Sequence, residues 1–445
     1  VSSLAAAGVT EVQEERSGPH PRATEGLLLA VVAAALIVGH LSLASTRAGA
    51  FAVGDPLALV AYLGALAGVH LLFVLTRRPF DPFLLPIAGL LGGISLLLME
   101  RLAGEEGTLA GLQLQWLLLG LGALAATAIG VRGIRIFRDY RYTWAAAGIA
   151  LLLLVFLLGE EVNGARLSLR IGPVSGQPSE LLKVILVIFL AGYLAERRTI
   201  LARDLRIGPI PLPPLPWLLP LLGMLGLAIA VVVVQRDLGA ALLFYGVFLG
   251  LLWVATRRAS WIVAGIILAA GAAVILYGAF AHVRVRVDAW ADPWADPLGA
   301  GYQALRALFA FARGGIAGTG LGAGLPEVAG APAIPAITTD LAFAALGEEL
   351  GLIGVLALCG CYLVIGGRGL AIALRAGDEL RTLLAVGLTL VIVLQAALIM
   401  AGNLKLVPLT GITLPFISYG GSSLLVNAIV IGLLLALDAQ GRVRR

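Results

Sequence analysis

The chain is built from repeated runs of roughly 17–25 apolar residues, the length of helix needed to cross the hydrocarbon layer of a bilayer. Inside that layer the backbone finds no water, so each run must satisfy its own N–H and C=O groups, and a helix does this within one segment. Twelve runs qualify, near 26–45, 57–76, 83–99, 112–131, 143–158, 181–196, 216–234, 238–255, 259–281, 341–366, 382–403 and 421–437. Hydrophobic residues make up 60% of the chain and charged residues only 13%. That balance excludes a disordered chain and leaves too little polar surface for a soluble core of this size. The expected fold is an all-α polytopic membrane protein of about 12 transmembrane helices.

The net charge of +5 does not point to nucleic acid, because the arginines lie in short segments between apolar runs. Twenty basic residues fall on one set of connecting segments and ten on the other, which places both termini in the cytoplasm. Residues 1–25 read as a disordered cytoplasmic tail leading into a retained helix rather than a cleaved signal peptide. Residues 26–437 form a single transmembrane domain, and 438–445 a basic cytoplasmic tail. The longest stretch outside the membrane is 282–340, an extracellular loop between helices 9 and 10, too short for a separate enzyme domain. The proline-rich run 209–216 reads as a stiff extended connector. Cys359 and Cys361 share one span, point to different sides of a helix and fit no metal spacing, so they read as apolar fillers. His40 and His70 read as packing residues, and Gln395 and Asn427 as bonds between helices.

With this topology the unusual polar clusters all fall on the outer face. Glu180 and Lys183 open one span three residues apart, on one helix face. They read either as a cap with an ion pair or as a site, since a lysine in the apolar layer costs about 2.5–3.5 kcal/mol and is usually functional. In the second reading Lys183 faces a phosphate. Asp237 is either the N-cap of a tight hairpin or a residue lining a site. In the long loop, Trp290 and Trp294 are natural interface anchors, while Asp292 and Asp296 each precede a proline. Either aspartate is a catalytic candidate. Tyr302 to Phe311 reads as a short amphipathic segment, and the glycine-rich 314–324 as backbone that a ligand can approach closely. Glu348 and Glu349 stand at an end of their span that reads as protruding. Ser418 to Ser423 is either a capping sequence or an anion site at a helix start.

These residues resemble the SEDS family, whose members include RodA, FtsW and SpoVE, over roughly 80–437. The matching elements are Asn163-Gly-Ala-Arg166, Gln177-Pro-Ser-Glu180 with Lys183, Asp237-Leu-Gly239 and Asp296-Pro-Leu-Gly-Ala-Gly-Tyr-Gln303. They continue with Thr339-Asp340, Gly347-Glu-Glu-Leu-Gly351 and Pro408 to Ser423. The resemblance implies a ten-helix core preceded by two extra helices in 26–76. It implies a peptidoglycan glycosyltransferase that polymerises lipid II on the outer leaflet of the bacterial cytoplasmic membrane, handling undecaprenyl-linked glycan beside a class B penicillin-binding protein. Among the two loop aspartates it selects Asp296. It also assigns substrate contacts to Glu180, Lys183, Asp237, Arg166, Asn163, Gln303, Ser418, Tyr419, Gly420, Gly421 and Ser422. The chain departs from the family pattern at Arg236, Leu167, Ser168, Arg306, Ala307, Ala336 and Thr338.

In the mechanism that follows, Asp296 is the general base for the 4-hydroxyl of the acceptor sugar, and the lipid pyrophosphate leaves in one inverting displacement. Lys183, Arg166 or a bound divalent cation (Mg or Mn) neutralises the departing charge, Glu180 orients Lys183, and Asp237 holds a metal or a sugar hydroxyl. Two other classes compete. A lipid flippase or transporter predicts polar residues through both halves of the membrane, and a non-catalytic scaffold predicts that the outer carboxylates are replaceable.

Overall fold

A computed structural model describes residues 21–102, 108–162, 165–171, 174–201, 205–207, 210–212, scattered positions between 219 and 229, 237–324, 327–328 and 331–443. The helices are α1 (Pro21–Ala48), α2 (Leu57–Thr76), α3 (Leu84–Leu102), α4 (Thr108–Gly130), α5 (Arg135–Asp139), α6 (Arg141–Leu158) and α7 (Pro178–Leu201). They continue with α8 (Leu238–Thr256), α9 (Ser260–Ala279), α10 (Ala281–Ala291), α11 (Tyr302–Gly314), α12 (Ala342–Arg375), α13 (Glu379–Asn403) and α14 (Gly421–Val443). Among the described residues ten helices are long and apolar enough to cross a membrane. These ten coincide with ten of the twelve expected spans. The expected span 143–158 is the shorter helix α6, and most of 216–234 lies outside the described residues.

Among the described residues, strands occur only in the connections. β1 (Glu160–Val162), β2 (Ala165–Ile171) and β3 (Val174–Gly176) form a small antiparallel meander between α6 and α7. The expected proline-rich connector is in part a hairpin, β4 (Leu205–Ile207) with β5 (Ile210–Leu212). A further pair, β6 (Glu327–Val328) and β7 (Ala331–Pro332), lies in the long loop.

Close backbone approach holds the bundle together, as expected where lipid removes the hydrophobic drive between helices. A Cβ on Gly432 of α14 would lie 2.6 Å from the Leu124 carbonyl oxygen of α4. Central α7 is almost wholly buried between α6, α8 and α13. The long loop carries α10 and α11, and the end of the bundle beneath them is here the loop end. The hydrophobic side of α11 turns inward, burying Ala304, Leu305, Ala307 and Ala310.

Several polar residues sit differently from expectation. Glu348 and Glu349 do not protrude: they are 1% and 2% exposed, Glu348 paired with Arg313 and Glu349 with Arg101 at 2.6 Å. His70 is bonded to buried Glu25 at 2.7 Å, because α1 begins five residues before the expected span and takes Glu25 into the helix. His40 approaches Glu100 at 3.3 Å. Both histidines therefore do more than pack. The glycine-rich segment is approached closely by its own chain rather than by a ligand. Thr319 and Gly320 donate to the Glu348 and Glu349 carbonyls, and Leu352 and Ile353 donate back to Gly315 and Ile316. These bonds replace the helical ones where α12 breaks at Gly351, whose φ of 64° suits glycine. Nor are the polar clusters confined to one face. At the end opposite the loop, buried Asp81 pairs with Arg368, and buried Asp438 with Arg375 at 2.8 Å and Arg442 at 2.9 Å.

Candidate active site

The start of α7 carries the first group. Glu180 lies in its first turn, where a helix favours negative charge, and Lys183 follows one turn later on the same face. Lys183 is 2% exposed, so its charge persists only with partners. It has three: Glu180 Oε2 at 2.5 Å, Gln395 Oε1 at 2.6 Å and Asn427 Oδ1 at 3.4 Å. Two of its three N–H donors go to the amide oxygens of Gln395 and Asn427, and the Glu180 carboxylate balances its charge as an ion pair. The same network runs on. Gln395 Nε2 donates to the Thr413 carbonyl at 2.8 Å, and Thr413 Oγ1 donates to Ser423 Oγ at 2.7 Å. Asn427 Nδ2 also reaches Ser423 Oγ, at 3.2 Å. Lys183 thus ties α7, α13 and α14 together beneath the loop end. Glu180 does hold Lys183, and Gln395 and Asn427 do bond neighbouring helices.

Asp237 is the N-cap of α8, its Oδ1 accepting from Ala240 N at 3.0 Å. Gln177 Nε2 approaches its Oδ2 at 3.4 Å. Burial pushes the carboxyl up to about 6; the Ala240 amide, Arg286 and the Ser179 hydroxyl pull it down, and the Glu180 charge adds to the rise. The N-cap reading of Asp237 holds, and its side chain also lines a small cavity with Glu180, Lys183 and Gln395.

The loop aspartates differ. Asp292 closes α10 and accepts one backbone bond, from Trp294 N at 3.0 Å. Asp296 uses both oxygens: Oδ1 accepts from Gly299 N at 3.0 Å and Oδ2 from Ala300 N at 2.9 Å. A Cβ at position 299 would lie 2.2 Å from Oδ2, so this turn requires glycine. Asp296 stays exposed while its orientation is fixed. Gly299 and Ala300, the residues that hold it, line a cleft of about 430 Å³ together with Arg286, Gln303, Asp340 and Lys405. Burial raises the Asp340 carboxyl above its ordinary range, against the Thr339 hydroxyl and Arg286. This cleft and the small cavity share Gly411. Sequence reasoning did not assign Arg286. The available signal was its spacing of four from Trp290, which puts both on one face of α10.

The segment before α14 is occupied by the protein itself. Ser418 Oγ donates to the Thr339 carbonyl at 2.5 Å and accepts from Leu414 N at 2.9 Å. Tyr419 N donates to Thr338 O at 2.6 Å, and Ser422 Oγ accepts from Gln177 N at 3.0 Å. Gly420 O accepts from Leu424 N at 2.9 Å. Gly421 lies against the Trp116 ring, which a Cβ would meet at 2.1 Å. These bonds fasten the Thr338–Asp340 segment and the start of α7 to the start of α14. Of the remaining expected site residues, Arg166 lies in β2 opposite Glu161, and Asn163 falls outside the described residues.

The family model of the FtsW, RodA and SpoVE cell cycle proteins matches residues 82–443. The chain belongs to this family. Helices α1 and α2 precede the matched region. A peptidoglycan glycosyltransferase RodA of Mycobacterium tuberculosis is 38% identical over 394 residues, covering 86% of this chain and 83% of that protein. A probable peptidoglycan glycosyltransferase FtsW of Nitrosococcus halophilus is 35% identical over 361 residues, covering 79% of this chain and 88% of the relative. A solved peptidoglycan synthase complex, described as coordinating polymerization and crosslinking, contains a chain of similar fold. Its TM-score is 0.67 at 26% identity, covering 81% of this chain and 98% of that one. Among the described residues no three His, Cys, Asp or Glu side chains gather to hold a metal ion. Glu180 is committed to Lys183, and Asp237 to its cap. This donor set does not fit a divalent ion.

Proposed function

We propose that this family member is a peptidoglycan glycosyltransferase that polymerises lipid II. The loop end would face the outside of the cytoplasmic membrane, with both termini in the cytoplasm and a class B penicillin-binding protein as partner. The observation that carries the reading is Asp296: an exposed carboxylate, held by two backbone N–H groups, on a turn that lines a mostly apolar cleft carrying Arg286, Gln303, Asp340 and Lys405. The family relatives support the reaction class.

In this mechanism the acceptor sugar's 4-hydroxyl gives its proton to Asp296 as its oxygen attacks the anomeric carbon of the donor. The new C–O bond forms on the face opposite the one that breaks, the lipid pyrophosphate leaves with the bonding pair, and Asp296 passes its proton to water. Each oxygen of Asp296 accepts one backbone bond and keeps a second lone pair for the hydroxyl proton. Lys183 and Glu180 act as the tie that fixes α7 against α13 and α14, and Asp237 sets the start of α8 beside them. The test is to give purified full-length protein labelled lipid II, with and without a class B partner, and to follow both products and lipid position. Glycan chains are expected. Transbilayer movement without chains would replace this reading with a flippase, and neither would leave a scaffold.

A further inference from the structure

The glycosyl-transfer reading requires a place for the pyrophosphate, and the residue first expected to hold it, Lys183, is buried with its charge balanced by Glu180 and two donors spent on Gln395 and Asn427. The outer cleft supplies two other cations. Arg286 and Lys405 both line it, both are partly exposed, and neither is engaged in an ion pair among the described residues. Arg286 spends one bond, Nη1 donating to the Thr410 carbonyl at 3.1 Å. One turn later Trp290 donates Nε1 to the Lys405 carbonyl at 3.0 Å. These two bonds clamp one face of α10 against the segment that follows α13, so both cations line one cleft. Lys405 has a left-handed backbone, φ 57°, unusual for a lysine, and it is stabilised there by the Trp290 bond and by its own N–H on Gly402 O at 3.1 Å. The remaining walls suit a lipid-linked sugar. The backbone turn of Asp296 and the amide of Gln303 lie on one side, and apolar Leu298, 87% exposed, stands at the edge.

We propose that Arg286 and Lys405 form the pyrophosphate cradle for the polyprenyl-linked substrate, with Asp296 reaching the sugars at the rim. A guanidinium offers a planar fork and an ammonium a point charge, a pairing suited to two linked phosphates. The proposal rests on the glycosyl-transfer reading for its substrate, but not for its ligand chemistry. Asp340 lines the same cleft and opposes an anion there, but its one charge is outweighed by the two cations.

The experiment measures binding of undecaprenyl pyrophosphate and undecaprenyl monophosphate to the full chain in nanodiscs, alongside lipid II polymerisation. The variants are Arg286→Gln, Arg286→Lys, Lys405→Gln and Lys405→Arg, with Arg284→Gln as control. Lys405 is partly exposed, so its variants keep the fold, which an unchanged melting temperature verifies. Lys405→Gln and Arg286→Gln should each weaken pyrophosphate binding about tenfold or more, the loss of a charge-assisted bond, and weaken monophosphate binding less. Lys405→Arg should retain most of the affinity, and Arg284→Gln all of it. Pyrophosphate affinity unchanged in both glutamine variants overturns the cradle, even if the wild type makes glycan. A wild type that binds pyrophosphate through these residues but makes no glycan overturns the transferase reading and leaves the cradle standing.

Discussion

Lys183 is the residue on which a structural tie and a substrate ligand make opposite predictions. Replacing it with methionine leaves Glu180 without its cation, and leaves Gln395 Oε1 and Asn427 Oδ1 without a donor. Lys183 is 2% exposed and Glu180 12%, so water reaches neither partner freely. Removing one member of a buried pair costs about 3–5 kcal/mol, because the other charge stays behind unpaired. Glu180→Gln strands the Lys183 ammonium in the same way. The double variant Glu180→Gln/Lys183→Met strands no charge, and its cost should be well below the sum of the two singles. The assay is a double-mutant cycle on unfolding in mixed micelles, with lipid II KM measured on the same preparations. A coupling energy of about 2 kcal/mol or more is expected, at the upper end for residues sharing one network. Additive singles, or a Lys183→Met protein of normal stability whose only defect is a raised KM, would refute the tie and return Lys183 to the substrate.

Other positions are testable in the same preparations. The Asp237 carboxyl titrates near 6 in the folded chain against 3.8 ordinarily, so the folded state holds its proton more tightly. Its contribution to stability should fall as pH rises from about 4 to about 6. Asp237→Asn keeps the cap acceptor and should remove that slope, read as the difference between the two stability-against-pH curves. Gly421→Ala drives a methyl into the Trp116 ring and should cost about 1–3 kcal/mol, visible as a lower melting temperature. Glu349→Gln leaves buried Arg101 without its carboxylate and should destabilise the glycine-rich segment, whose Gly324 N–H approaches the same oxygen. Limited proteolysis near 314–324 would report it.

The helical framework was legible because apolar run length is a direct physical demand of the bilayer. Ten expected spans recur as helices, most of their ends within a few residues, while α12 and α14 run on past their expected ends, α12 as far as Arg375. Those small shifts still mattered: five extra residues at the start of α1 put Glu25 beside His70. Charge pairing across the bundle was not legible. Asp81 and Arg368 meet across 287 positions of sequence, and Glu349 meets Arg101 across a similar gap. Single-residue spacing carries no information at that range. In the site, Glu180 and Lys183 were readable as a pair because three residues along a helix is a spatial contact. Capture of Lys183 by Gln395 and Asn427 needed α13 and α14 in place. The glycine-rich run was recognised as allowing close approach, but composition could not say that the approaching group is the backbone of α12. Arg286 and Lys405 escaped assignment because each looks like an ordinary interfacial cation until Trp290 and Thr410 bring them to one cleft.

The central claim is that Asp296, and not its neighbour in the same loop, takes the proton from the acceptor sugar. Asp296→Asn and Asp292→Asn should be purified side by side, matched for melting temperature, and given labelled lipid II. Asparagine can still accept from one of the two backbone N–H groups, so the turn should survive in both proteins. The account predicts no glycan chains from Asp296→Asn and near-normal chains from Asp292→Asn. Chains of normal length and rate from Asp296→Asn would contradict it.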